Sequence, residues 1–452
     1  MERNVYPLLK AWKESLPRKP LILRGARQTG KTYILKAFGA GEFPAFHHFD
    51  FEKAGPDLRA LFDRTLDPRQ IIQNLALYQG HPIGENDLIL FDEIQACPRA
   101  LTSLKYFCEE LPGQAICAAG SLLGVAVSES AWPVGKVTYL DLHPLCFEEF
   151  LANSGQEMLF SAYESSWNEK TSSPVLHAKL WEALTWYYVT GGMPEAVAAF
   201  FRHGERISEG FFAARNVQKE LIRSFLQDFT KHSGAIHAAH IASVFEDIPR
   251  QLSGYTDTSV KRYRFKDVIP GKKGLAELDG PIGWLEKAGL IHKTLLCERP
   301  ELPLQSFCKS NLFKLFLCDI GLLGAALDLA PALLLRQDYG IVKGFFAENF
   351  VAAEWIAAGS SGLYSWIHRT SEVEFLLEHE GSVIPVEVKS GLRTRAQSLN
   401  QYILRYAPPY AVKISGLPLA LHGGPLLHIP LYYAGKLARP TAAAHLFSKE
   451  VS

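Results

Sequence analysis

Eight residues near the start of the chain, Gly25-Ala26-Arg27-Gln28-Thr29-Gly30-Lys31-Thr32, have the spacing G-x-x-x-x-G-K-[ST]. Glycines at that spacing let backbone N–H groups curl around phosphate oxygens, and a helix starting near Lys31 adds its positive end. Lys31 is then expected to reach the β- and γ-phosphates of ATP, and the Thr32 hydroxyl to ligate Mg²⁺. Further on, Asp87-Leu88-Ile89-Leu90-Phe91-Asp92-Glu93 is an apolar strand pattern ending in two carboxylates. Asp92 suits the Mg²⁺ position beside Thr32, and Glu93 suits polarising the attacking water. The next apolar run, Ala115–Ala119, ends in Gly120-Ser121. Ser121 there is either a sensor of the γ-phosphate or an ordinary turn residue.

A second group of chemistry-bearing residues lies toward the other end. Val373-Glu374-Phe375-Leu376-Leu377 and Val383-Ile384-Pro385-Val386-Glu387-Val388-Lys389 are strand patterns flanking a turn. A turn centred between Glu380 and Gly381 sets Glu374 opposite Glu387 and Glu372 opposite Lys389. Facing carboxylates repel unless a cation sits between them, so a divalent metal is one reading. The other is a charged hairpin face, with Glu372–Lys389 an ion pair worth under about 1 kcal/mol. The Glu-x-Lys pattern resembles the catalytic strand of PD-(D/E)xK nucleases. There an upstream acid and the Glu bind a divalent metal, and the Lys supports the attacking water. Glu348, on the preceding helix pattern, matches the helix acid of some of those enzymes. Glu374 stands where the nuclease pattern has Asp, and Val373 where it has Pro.

Between the two groups, Lys261, Arg262, Arg264, Lys266, Lys272 and Lys273 crowd a short stretch in which Asp267 is the one acid. Tyr263 and Phe265 interleave with them. Cations with aromatics suit phosphate contact and base stacking; a solvated charged loop is the plainer reading.

These residues need a scaffold. The chain has 452 residues, 48% hydrophobic and 21% charged, with 47 basic and 47 acidic residues. That is ordinary globular composition, about three domains long, without a histone-like excess of positive charge. Apolar runs at Pro20–Leu23, Phe46–Phe51, Leu88–Phe91, Ala115–Ala119 and Val137–Leu142 alternate with helix patterns such as Pro56–Arg64 and Pro98–Glu110. Residues 1–150 therefore read as a parallel α/β domain. The gap between Thr32 and Asp92 leaves room for an extra strand in the sheet. Residues 151–235 read as helical and 236–335 as helical ending in a strand pattern, Gly289–Leu296. Residues 338–452 read as α-β-β-β-α-β. The start has no signal-peptide core, and the apolar stretch Leu312–Leu335 is broken by Lys314, Asp319, Asp328 and Pro331, so no membrane span is expected. Seven scattered cysteines without a C-x-x-C pair argue against a zinc site or disulfide framework and fit a reducing cytoplasm.

The ordered series of segments resembles the bacterial and archaeal AAA+ ATPases that carry a C-terminal domain of unknown function. The segments are the phosphate loop, Phe91-Asp92-Glu93-Ile94-Gln95, Ala119-Gly120-Ser121-Leu122-Leu123, and His143–Phe150. They continue with Gly191-Gly192-Met193-Pro194-Glu195, Leu315–Leu323, Glu348-Asn349-Phe350-Val351 and Pro385–Gly391. The resemblance implies ATP and Mg²⁺ as cofactors, a winged helix in the middle region and a restriction-endonuclease-like α/β fold at the C-terminus. It also admits an oligomer. Pro281–Ala288 would be a helix of the winged module and the strand pattern after it the wing. Gly135-Lys136 stands where the resemblance would put Gly-Arg. The leading expectation is an ATPase that couples nucleotide state to DNA or other nucleic acid. The alternative is a nucleotide switch acting on a protein partner, with the last domain an inactive scaffold.

Overall fold

Short β-branched and aliphatic runs separated by helices fold as a parallel sheet only if both faces are covered. A computed structural model of the chain shows how this is done. It describes residues 1–121, 132–233, 235–254, 261–336, 342–391, 396–420 and 424–447. Two units divide the chain: residues 1–143 with 287–289, and residues 144–286 with 290–452.

In the first unit, β1 (Leu21–Arg24), β2 (Phe46–Asp50), β3 (Leu88–Asp92), β4 (Ala115–Ala119) and β5 (Thr138–Asp141) form one sheet in the order β2-β3-β4-β1-β5. All the pairings are parallel. The strand that fills the gap between Thr32 and Asp92 is β2, at the edge of the sheet beside β3, while β4, which follows Asp92 in the chain, sits between β3 and β1. Alternation sends Ile22, Ile89, Phe91 and Ile116 to one face, where α3 (Pro56–Arg64), α4 (Pro68–Gln79) and α5 (Pro98–Glu110) cover them. Leu21, Leu23, Leu88, Leu90 and Cys117 point to the other, under α1 (Val5–Glu14) and α2 (Lys31–Glu42). Proline opens α3, α4 and α5, where its missing N–H costs no hydrogen bond. Of the resemblance segment at 119–123, Leu122 and Leu123 lie outside the described residues.

The second unit holds two four-stranded sheets. β6 (Ile291–Cys297) pairs antiparallel with β7 (Cys308–Leu317) and parallel with β8 (Leu363–His368), which pairs with β9 (Ser371–Val373). β10 (Phe375–His379) and β11 (Ser382–Val388) form a hairpin extended by β12 (Ala411–Ser415) and β13 (Leu426–Pro430). Three differences from expectation follow. The helix Val342–Ala357 is succeeded by four strands, not three, and two strands follow the helix Gln397–Tyr406. Strands from the expected middle and last regions also share one sheet, because β8 completes the edge of β6. The middle-region helix begins at Leu275 and runs through Pro281, earlier than the pattern suggested.

The hairpin register is the expected one, with Phe375 opposite Val386 and His379 opposite Ser382. Glu380 (φ 47°) and Gly381 (φ 74°) are both left-handed, the geometry that matches the twist of a two-residue hairpin. Cys297 and Cys308 face each other across β6–β7 and are joined as a disulfide, a pairing the scattered cysteines did not suggest. Among the described residues no helix is long and apolar enough to cross a membrane.

Several resemblance segments meet inside the second unit. The Gly192 carbonyl accepts from Leu145 N at 2.7 Å, and Gly192 N donates to Asp319 Oδ2 at 2.6 Å. A Cβ on Gly192 would lie 1.9 Å from the Leu145 carbonyl oxygen, so this approach requires glycine. The Asn349 side chain bridges the backbone of Leu317 at 2.9 and 3.0 Å. Burial pushes the Asp319 carboxyl up to about 6, against the backbone N–H groups and Arg215 that favour its charge.

Candidate nucleotide site and C-terminal charge cluster

The loop between β1 and α2 takes its shape from three residues with positive φ: Gly25 (151°), Gln28 (62°) and Gly30 (92°). A Cβ on Gly25 would lie 2.1 Å from the Leu142 carbonyl oxygen, so only glycine lets the loop turn there. Thr29 is fully buried, its hydroxyl donating to the Ala26 carbonyl at 2.9 Å. Arg3, unmarked by any sequence signal, donates to the Thr29 carbonyl at 3.1 Å and braces the loop from outside.

Lys31 and Thr32 open α2, beneath the loop. The Lys31 ammonium is buried and donates to the Gly25 and Ala26 carbonyls at 3.0 and 2.7 Å. Burial pulls its pKa down to about 8, although Glu93 and Asp92 act the other way. The Thr32 hydroxyl donates to Asp92 Oδ1 at 3.1 Å. Burial raises the Asp92 carboxyl, but hydrogen bonds from His48 and Thr32 outweigh it and hold it below its ordinary value.

Glu93 has φ 48°, a left-handed conformation that costs a non-glycine residue about 1–3 kcal/mol and persists where surroundings enforce it. Its N–H donates to Asp92 Oδ1 at 3.1 Å, and Gln95 Nε2 donates to its Oε2. Ser121 Oγ lies 3.4 Å from the same Glu93 oxygen. The structure thus brings Gly25 through Thr32, Asp92, Glu93 and Ser121 to one end of the sheet. Lys136 pairs with Glu109 at 3.0 Å on the surface.

The C-terminal carboxylates gather differently from expectation. Lys389 Nζ lies 2.7 Å from Glu387 Oε1 and 3.4 Å from Glu374 Oε1, and Val388 N donates to Glu374 Oε2 at 3.0 Å. Glu374, Glu387 and Lys389 therefore do come together. Glu372 does not face Lys389: it lies in β9, opposite Ile367, and pairs with Lys314 of β7. The chain changes sheets between β9 and β10, which carries Glu372 away from the hairpin. Glu348 is held by Lys261 and Lys314, its two oxygens one to each lysine, the latter at 3.0 Å. Burial opposes the charge on both lysines, but the surrounding carboxylates hold them above the usual lysine range. Burial would raise Glu348 too, yet the lysines draw it down to about 2.

Two expectations are corrected here. Lys261 belongs to this buried cluster, so it is not a surface phosphate contact. Tyr263 is buried and stacks on Phe313 (6.2 Å, 13°), and Phe265 packs edge-on against both rings. Tyr263 N donates to the Phe313 carbonyl at 2.8 Å, so this stretch runs alongside β7 with its aromatics inward. Arg262, Arg264, Lys266 and Lys273 remain exposed.

A divalent metal at the C-terminal pair finds two carboxylates and one orphan, Glu387 Oε2, which is buried without a hydrogen-bond partner. Lys389 already bridges the pair, and Glu348 is occupied by its lysines. Among the described residues, one group of three ligand-bearing side chains converges within 4.8 Å, and it is elsewhere: His48, Asp50 and Asp92. The C-terminal residues do not fit a three-ligand metal centre. Neither His48 nor Asp50 was marked in the sequence, where Phe46–Phe51 reads simply as a strand.

A family model described as an AAA domain matches residues 17–151. Two others, each described as a domain of unknown function, match residues 182–333 and 343–432. No curated protein matches the chain. Among solved structures, the Aeropyrum pernix Orc1 protein in complex with DNA is 13% identical, with a TM-score of 0.30 over 75% of this chain and 93% of that one. Cdc6p from Pyrobaculum aerophilum is 14% identical, with a TM-score of 0.25 over 74% and 92%. Scores this low do not establish a common fold. The AAA match falls on the parallel sheet and its loop, so this part of the chain, a parallel α/β sheet behind a G-x-x-x-x-G-K-T loop, is similar to an AAA domain.

Proposed function

We propose that the chain binds ATP with Mg²⁺ and hydrolyses it, as a nucleotide-dependent switch. The observation that carries this reading is Lys31. A buried ammonium, enclosed by its own loop and weakened by burial, suits an arriving phosphate as counter-charge. The N–H groups of Gly25, Ala26, Arg27, Gln28, Thr29 and Gly30 line the turn in which phosphates would lie. Thr32 and Asp92 are the residues suited to hold Mg²⁺, which when bound neutralises phosphate charge. Glu93, strained into place and linked to Gln95 and Ser121, suits holding the attacking water and taking its proton. Ser121 links that carboxylate to the end of β4, a position from which it could sense the γ-phosphate.

We read the C-terminal cluster as a scaffold without nuclease activity. Lys261 and Lys314 hold Glu348, Lys314 also holds Glu372, and Lys389 bridges Glu374 and Glu387, so these acids are tied to lysines. The partner on this reading is a protein. A nucleic-acid partner is the second reading, supported by the exposed run of Arg262, Arg264 and Lys266. Phosphate release from ATP, measured with Mg²⁺ in the presence and absence of DNA, tests both. No Mg²⁺-dependent release would overturn the ATPase reading. DNA stimulation that fades steeply with salt would favour the second.

A further inference from the structure

We infer that His48, Asp50 and Asp92 form a binding site for a transition-metal dication, distinct from the Mg²⁺ position of the nucleotide. Strand alternation puts His48 and Asp50 on one face of β2. The parallel register sets Asp50 beside Asp92 and His48 beside Leu90, so three donors gather where two neighbouring strands end. One ligand atom from each lies within 4.8 Å of the others. His48 Nε2 and Asp92 Oδ2 are already 3.1 Å apart. Two donors each about 2.1 Å from a tetrahedral ion sit roughly 3.4 Å apart, so little movement is needed.

The two oxygens of Asp92 face different ways. Oδ1 takes the Thr32 hydroxyl and the Glu93 N–H, on the nucleotide side. Oδ2 takes His48. One carboxylate can therefore serve two cations. Asp50 is held in place by the N–H groups of Glu52 and Lys53, both 3.0 Å from its Oδ1. Its competitor for Oδ2 is the exposed Lys53, at 3.4 Å. Asp92 is buried while His48 and Asp50 are partly exposed, so an ion and its remaining waters can enter.

The donor set decides the metal. One imidazole with two carboxylates suits Zn²⁺, Co²⁺ or Ni²⁺, whereas Mg²⁺ prefers oxygen alone. An ion there would fix Asp92 Oδ2 and draw on the charge that Asp92 offers toward Thr32. Occupancy would thereby act on the nucleotide site.

Co²⁺ serves as the probe, because its visible bands report protein ligation. Titrated into the full chain without nucleotide, it should give bands that saturate at one equivalent and persist under excess Mg²⁺. His48→Asn should lose them while far-ultraviolet circular dichroism stays unchanged. Asp50→Asn should weaken binding at least tenfold. Lys31→Ala, which should abolish ATP turnover, should keep them, so failure here and failure of the ATPase reading are separable. Bands unchanged in His48→Asn, or lost on adding Mg²⁺, would overturn the inference. So would a spectrum no different from that of the aquo ion.

Discussion

Replacing Lys31 by Met should stabilise the nucleotide-free protein, though the lysine is the residue most expected to hold ATP. Burial lowers its pKa from 10.5 to about 8. At about 1.36 kcal/mol per pH unit, the charged form is disfavoured in the fold by about 3 kcal/mol. Between pH 8 and 10.5 the unfolded chain binds a proton that the folded chain does not, so wild-type stability should rise with pH across that window. Below pH 8 the full penalty is present. Met carries no charge, so the variant should gain on wild type at pH 7, and the gap should narrow toward pH 10. The lost hydrogen bonds to Gly25 and Ala26 offset part of the gain at every pH, which leaves the pH-dependent part as the clean signal. Urea unfolding of both proteins at pH 7, 8.5 and 10 measures it. ATP at 100 times its dissociation constant should add about 2.7 kcal/mol to wild type and nothing to the variant. A stability difference that does not change with pH would refute the assignment of Lys31 as a charge strained by burial. Equal stabilisation of the variant by ATP would refute its role toward phosphate.

Glu93→Gln should keep the ATP-induced stabilisation but lose about 100-fold or more in turnover, since an amide cannot take the proton; normal turnover would remove Glu93 from the mechanism. Burial, with Glu374 beside it, pushes the Glu387 carboxyl up to about 8 from an ordinary 4.5. The folded chain then holds a proton between those values that the unfolded chain has lost. Wild-type stability should fall as pH rises from 4.5 to 8, and Glu387→Gln should flatten the fall in melting temperature; parallel profiles would contradict this. Lys314→Ala removes one of the two lysines on the buried Glu348 and the ion-pair partner of Glu372, and should cost about 3–5 kcal/mol, read by urea unfolding; a loss under about 1 kcal/mol would mean the cluster is not held by that lysine. Changing Arg262, Arg264 and Lys266 together to Ala should flatten the slope of log DNA affinity against log salt by up to about 3, and an unchanged slope would discard the nucleic-acid reading.

The sequence by itself determined what is built from contiguous residues. The phosphate loop is legible because its turn needs particular glycines at particular spacings, and Gly25 and Gly30 adopt the positive φ that spacing implies. Strands β1 to β5 follow from short apolar runs that must be covered on both faces. The β10–β11 register was legible because one local turn, Glu380-Gly381, sets every pair after it. The inward facing of Tyr263 and Phe265 was also written in the alternation of aromatic with Arg262 and Arg264, though charge density pointed to solvent. Tertiary structure alone decided the rest. Glu348 meets Lys261 and Lys314 only once β7, the upstream segment that carries Lys261 and the helix Val342–Ala357 pack together. Glu372 left the hairpin because β9 joined a different sheet from β10. His48 and Asp50 reach Asp92 because β2 pairs beside β3 in one particular register. In each case the partners are distant in sequence. A buried charge must find its counter-charge wherever packing puts one, and no local pattern of residues records where that will be.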